Sequence, residues 1–258
     1  MGKLTERRER ILRILENKKL ATVTDLSDEL NVTTETIRKD LLQLENAGKI
    51  VRIHGGAALS NSPQELPYNI RQNINMECKK KIAACSAGLI RKNEIILLES
   101  STTTVVLCQE LLKKPELLKT LTVITNSVYI LQCLKMGALC GRIFFLGGWI
   151  SATESAAYGP STIEMMNTIR VNKAFLSGAA MNSKLELTTY FEHDMLFQQA
   201  ALKYADETVL MLDSGKYPAT GALTVAPMSD FQYFVTDIHF NMEKKSLLKS
   251  WDVRLFEV

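Results

Sequence analysis

Apolar positions in the N-terminal part of the chain recur with a helical period. Leu4, Ile11, Leu12, Ile14 and Leu15 share one face among Arg7, Arg8, Glu9, Arg10 and Arg13, which predicts an amphipathic helix over 3–17. Residues 23–30 predict a second, short helix with Leu26 and Leu30 on one side and Thr24 as its N-cap. Asn31-Val32-Thr33 makes a tight connection, and Thr33 or Thr34 caps a third helix built on Ile37, Leu41 and Leu44. Gly48 is placed to end it. Ile50-Val51-Arg52-Ile53 then predicts a short strand, with His54-Gly55-Gly56 as its turn. This is the layout of a winged helix-turn-helix.

The period changes further on. Residues 59–75, with Ser60, Asn61, Ser62, Pro63 and Pro67, have little periodicity and predict a linker. Beyond it, short apolar runs alternate with helical segments. A helix over 76–91 leads to a strand at Ile95–Leu98, and a Ser100-Ser101-Thr102 turn opens a helix ending near Lys113. Strands at Leu121–Ile124 and Arg142–Leu146 flank a helix ending near Met136, and later strands fall at 174–177, 208–212, 232–236 and 253–256. Such alternation predicts βαβ units and a mostly parallel sheet buried on both faces. The expected organisation is α/β: a winged helix-turn-helix over 1–58, the linker, and an α/β domain over 76–258.

Composition narrows the function classes. The chain has 258 residues, 46% hydrophobic and 23% charged, the balance of a globular protein. Its apolar runs are too short to span a bilayer, and the start has no apolar signal stretch; Glu6 breaks a myristoylation pattern. A cytoplasmic protein without membrane contact is expected. Five cysteines (Cys78, Cys85, Cys108, Cys133, Cys140) are irregularly spaced and three histidines lie far apart, so neither a disulfide framework nor a metal or other cofactor is expected. Net charge is +3, with 11 basic and 9 acidic residues up to Ala58. Bulk charge locates no binding surface; placement has to.

Burying Ile37, Leu41 and Leu44 leaves Thr34, Glu35, Thr36, Arg38 and Lys39 facing outward near the start of the third helix, the end that a recognition helix inserts into the major groove. Threonine hydroxyls there suit phosphate oxygens, and Arg38 suits guanine O6 and N7. Arg52 and His54 on the wing would reach the backbone or the minor groove.

In the second domain, ligands are expected outside the carboxyl ends of the strands. Ser100, Ser101, Thr102 and Thr103 gather hydroxyls and free amides at a helix N-terminus, suited to a phosphate. Asn126, the Gly147-Gly148 pair and the Asp213–Lys216 turn fall on the same edge. Lys216 and Lys81 would supply charge, and Lys173, Asn126 and Glu192 or Asp194 would read hydroxyls.

Residues 20–57, above all Thr36-Ile-Arg-Lys-Asp-Leu41, Leu44-Glu45 and His54-Gly-Gly-Ala57, closely resemble the N-terminal domain of the DeoR family of bacterial transcriptional regulators. From about Met76 the chain is similar to the sensor domain of that family, through Glu99-Ser-Ser-Thr-Thr-Thr104, Leu121-Thr-Val-Ile-Thr-Asn-Ser127, Leu146-Gly-Gly148, Gly159-Pro160, Val171-Asn-Lys-Ala-Phe-Leu176, Leu187-Thr-Thr189 and Leu212-Asp-Ser-Gly-Lys-Tyr217. The resemblance implies a fold like that of ribose-5-phosphate isomerase and CoA transferases, a phosphorylated-sugar effector, and double-stranded operator DNA gripped through Thr36, Arg38 and Lys39. Glu99 stands where the family commonly has Asp, Ala179 where it often has Asp, and Gln198 where it usually has Lys.

Three functions follow as candidates. The first is a repressor of a carbohydrate operon controlled by a phosphorylated sugar, working as a homodimer or homotetramer because one weakly charged winged helix binds DNA poorly. The second is a sugar-phosphate isomerase with a DNA tether, for which the Ala179 position lacks a carboxylate. The third is a constitutive DNA-binding protein whose second domain only oligomerises.

Overall fold

The computed structural model describes residues 3–18, 20–47, 49–53, 56–59, 68–137, 141–151 and 154–258, and the chain divides into two compact units, 1–74 and 75–258.

The first unit runs α1 (Lys3–Lys18), β1 (Leu20–Thr22), α2 (Val23–Leu30), α3 (Thr34–Asn46), β2 (Ile50–Ile53), β3 (Gly56–Leu59) and a helical turn, α4 (Tyr68–Arg71). Ile11 and Leu15 of α1, Leu26 and Leu30 of α2, and Ile37, Leu41 and Leu44 of α3 form one core with Ile50 and Ala57. Thr22, not Thr24, caps α2: its hydroxyl accepts from the Asp25 amide at 3.0 Å while the Asp25 carboxylate accepts from the Thr22 amide at 3.1 Å. The cap moves upstream because Leu20–Thr22 is a strand, absent from the sequence expectation, that pairs antiparallel with β3 in a sheet of order β1-β3-β2. Gly56 lies where β1 comes so close that a Cβ would meet the Ala21 carbonyl. Thr33 caps α3, and its C-cap is Ala47; Gly48 lies outside the described residues. The expected structureless linker contains α4, and the first compact unit extends to residue 74.

In the second unit come α5 (Met76–Ala87), β4 (Ile95–Leu98), α6 (Thr102–Leu112), α7 (Pro115–Leu118), β5 (Thr122–Thr125), α8 (Val128–Gly137), β6 (Arg142–Phe145), β7 (Trp149–Ile150), β8 (Ala157–Tyr158) and α9 (Pro160–Asn167). There follow β9 (Val171–Leu176), β10 (Ala180–Met181), β11 (Glu186–Thr189), α10 (Glu192–Tyr204), β12 (Ala205–Leu212), β13 (Leu223–Pro227), β14 (Tyr233–Thr236), α11 (Met242–Ser250) and β15 (Arg254–Glu257). Seven parallel strands form one sheet of order β15-β14-β12-β9-β4-β5-β6. Both faces are covered, as an all-parallel sheet requires. Ile96, Leu98, Phe175, Val209 and Val235 pack under α5, α6 and α8, while Leu97, Ala174, Leu176, Leu210 and Phe234 pack against α9 and α10.

Strand order locates the crevice. From β4 the chain steps through β5 and β6 on one side, then returns to place β9 on the other side of β4 and continues through β12, β14 and β15. The switch point therefore lies between β4 and β9, and the carboxyl ends of these strands are where an open α/β sheet takes a ligand. Beyond the end of β9 the chain enters a small antiparallel sheet of order β10-β11-β13, which the period-based reading did not anticipate.

Candidate functional site

In the first unit, Glu35, Arg38 and Lys39 are exposed and Thr34 and Thr36 half-exposed at the start of α3. The Arg38 guanidinium reaches Glu35 at 3.6 Å across one helical turn, both side chains largely in solvent, so this pair opens at little cost when a nucleic acid offers a better partner. Arg52 lies in β2 opposite Ala57, and His54 lies outside the described residues.

Helix α3 is held from behind by a contact that was not anticipated. Asp40, only 1% exposed, accepts from both Arg7 and Arg8 of α1, the latter through Nε at 3.0 Å. Residues 37, 40, 41 and 44 share the buried face of α3, so the helical period itself turns Asp40 inward and away from any DNA. Two cations on one buried carboxylate fix the rotation of α3 about its axis, and with it the side chains presented outward.

In the second unit, the chain leaving β4 enters Glu99 and the Ser100–Thr103 turn. Ser101 caps α6, accepting from the Thr104 amide at 3.1 Å, and Thr104 Oγ1 in turn accepts from the Ser101 amide. The Ser101 hydroxyl is therefore engaged in the cap and is a weaker ligand candidate than expected. The amides of Thr102 and Thr103 belong to the first turn of α6, which the helix cannot satisfy itself. Ser100 Oγ, Thr103 Oγ1 and Gln198 Oε1 are buried and have no hydrogen-bond partner among the described residues. Orphaned buried polar atoms are costly; Ser86 Oγ of α5 is a fourth.

Glu99 bridges the switch point. It is 6% exposed; Oε2 accepts from the Ser177 amide beyond β9 at 2.7 Å, and Oε1 accepts from Gln198 Nε2 at 2.6 Å. Burial pushes its carboxyl up to about 8, only partly offset by these bonds; the neighbouring Asp194 adds to the rise and Lys216 opposes it. Lys216 reaches the same mouth, its Nζ donating to the Gly178 carbonyl at 2.5 Å and lying 3.4 Å from Ser177 Oγ.

Not every expected residue joins this group. Lys173 does not: it lies in the amino half of β9, three residues and about 10 Å before the strand's end. Its Nζ is buried against the Leu89 carbonyl at 2.8 Å and against Glu94 and Glu207, each at 3.2 Å, and so it serves as a structural cation at the opposite edge of the sheet. The Asn126 amide is spent on the scaffold, accepting from the Ser100 amide at 2.9 Å and donating to the Ala157 carbonyl at 3.1 Å, so it shapes the turn instead of reading hydroxyls. Asp194 is half-exposed, 3.5 Å from Thr189 Oγ1; Glu192 opens α10 exposed, and Lys81 is exposed on α5.

Gly147 and Gly148 follow β6 as expected. Thr162 donates to the Gly147 carbonyl at 2.7 Å, and Gly148 has φ +150°, where a Cβ would also strike the Tyr158 carbonyl. Beside them, Trp149 of β7 is 75% exposed and packs over Gly159.

A family model described as the DeoR-like helix-turn-helix domain matches residues 7–63, and one described as the DeoR C terminal sensor domain matches residues 74–238. The chain belongs to the DeoR family. An HTH-type transcriptional regulator of Bacillus subtilis is 30% identical to this DeoR-family chain over 91% of it and 89% of the relative. A lactose phosphotransferase system repressor of Staphylococcus epidermidis is 27% identical over 95% and 96% of the two chains. A solved ribose 5-phosphate isomerase of Methanocaldococcus jannaschii aligns with 55% of this chain and 54% of its own at 18% identity and TM-score 0.40. Among the described residues of this DeoR protein, no helix is long and apolar enough to cross a membrane.

Proposed function

We propose that this chain is a cytoplasmic repressor of a carbohydrate-use operon that binds operator DNA through α3 and releases it when a phosphorylated sugar occupies the Ser100–Thr103 turn. The observation that carries the effector half is the pair of orphaned buried hydroxyls, Ser100 Oγ and Thr103 Oγ1, in the turn that opens α6, together with Gln198, whose Oε1 is also orphaned and which meets Lys216 at Ser177. The phosphate would rest on the Thr102 and Thr103 amides with Lys216 as counter-charge, and Asp194 would read a hydroxyl at the mouth. Two relatives named as lactose phosphotransferase system repressors support the same reading. The protein acts as a homodimer or homotetramer, so that two winged helices engage spaced half-sites.

A non-enzymatic role fits the donor set. Isomerisation of a sugar phosphate needs a base positioned against the substrate carbon, with its orientation free of the protein scaffold. Both Glu99 oxygens accept protein hydrogen bonds, and residue 179 is alanine. No turnover of phosphorylated sugars is expected in a coupled assay.

Two variants separate the two halves. Arg38→Ala is expected to weaken operator binding by about 1–3 kcal/mol in a fluorescence-anisotropy titration and to relax preference at one base pair, with effector affinity unchanged. Thr103→Val combined with Lys216→Met removes two bonds to a charged ligand and is expected to weaken the effector about 100-fold or more, with operator binding intact. An undiminished effector response in the double variant would place the pocket elsewhere.

A further inference from the structure

Glu99 is an unusual neighbour for an anion. Its carboxyl immediately precedes the Ser100–Thr103 turn, is buried, and makes no ion pair among the described residues; its hydrogen bonds come from the Ser177 amide and the Gln198 side chain. The charged groups facing it are Asp194 from α10, which repels an ionised carboxylate, and Lys216 from the turn after β12, which attracts one. Lys216 is shared: its Nζ is held at Gly178 and Ser177, the position from which it would also serve a bound anion. A phosphate arriving at the turn would add a second negative charge beside Glu99, which Lys216 attracts only weakly and from beyond ion-pair distance. Two anions cannot both be neutralised by one ammonium in a desolvated crevice.

We propose that anion binding at the Ser100–Thr103 turn is proton-coupled, with Glu99 holding a proton from solvent whenever a phosphate-bearing ligand is bound and Lys216 then serving the ligand alone. This rests on the effector site being where the proposed function puts it. An uncharged Glu99 keeps both observed bonds, since each of its oxygens still accepts. The pH window follows from the raised carboxyl, which titrates at about 8 in the empty site. Below about pH 7 the proton is already present and affinity is independent of pH. Above 8 the empty site is ionised and each bound anion must bring a proton with it, so affinity falls by up to tenfold per pH unit.

The test uses sulfate, a phosphate mimic whose charge is constant between pH 7 and 9, titrated calorimetrically into the full chain. The sulfate Kd is expected to rise about tenfold from pH 7 to pH 9 in the native protein and to be flat in Glu99→Gln. At pH 8, repeating the titration in two buffers of different ionisation heat is expected to give uptake of about half a proton per sulfate bound, a readout that needs no variant. A flat native Kd, no proton uptake, or an equal rise in Glu99→Gln would each overturn the coupling while leaving the anion site standing. Absence of sulfate binding at any pH would remove the site itself, and this inference with it.

Discussion

Removing Arg7 and Arg8 together is expected to destabilise the first unit by about 3–5 kcal/mol, more than removing the carboxylate they share. The asymmetry follows from where each group lies. Asp40 is 1% exposed, so Arg7→Ala with Arg8→Ala strands an ionised carboxylate in the core of a small unit. Asp40→Ala leaves two guanidinium groups that are 23% and 34% exposed and regain water by small rotations, so its cost is expected to be about 1–2 kcal/mol. Thermal denaturation of the full chain, followed by loss of operator binding on heating, orders the two variants. Equal effects would mean that Asp40 is not held as an ion by this pair. Operator affinity of folded Asp40→Ala is also expected to fall, because α3 loses the anchor that sets which face it turns outward.

The second large effect is on stability against pH. In the unfolded chain Glu99 titrates near its ordinary 4.5; burial raises it to about 8 in the folded protein. Below pH 4.5 the carboxyl is protonated in both states and costs nothing. As pH rises, the unfolded chain releases a proton that the folded chain keeps, so stability falls progressively until both forms are ionised above 8. The loss is on the order of 3 kcal/mol by pH 7 and 5 kcal/mol in full. Glu99→Gln keeps the shape and accepts from the Ser177 amide, but has no proton to exchange. Urea midpoints of the second unit are therefore expected to diverge in the variant's favour between pH 5 and pH 8. Parallel curves would show that Glu99 ionises freely in the folded protein.

The helix-turn-helix could be read from the sequence because its core obeys a simple period: Ile11, Leu15, Leu26, Leu30, Ile37, Leu41 and Leu44 are all buried. Asp40 occupies the same period, but nothing local to α3 announces two arginines about thirty residues upstream. The parallel sheet was legible for a related reason, since strands buried on both faces are continuous apolar runs. Strands of two, four and five residues in the β10-β11-β13 sheet have too few alternations to register. Lys173 shows the limit of reading a site from residue type. A lysine inside an apolar strand suggests a ligand contact, but its position in the strand puts it at the wrong end of the sheet, where Glu94 and Glu207 supply the charge that burial demands. Glu99 and Gln198 were visible only as departures from a family pattern, and that they bond each other needed the fold.

The chain has two tryptophans, Trp149 and Trp251, and both belong to the second unit. Trp149 lies open to water beside the Gly147-Gly148 turn, while Trp251 ends α11 partly buried against the core. Intrinsic emission excited near 295 nm therefore reports on one half of the molecule and is blind to the other. A spectral shift on adding a small ligand is a label-free signal from tryptophans of the ligand-binding half, to which the DNA-binding half contributes no fluorophore of this kind.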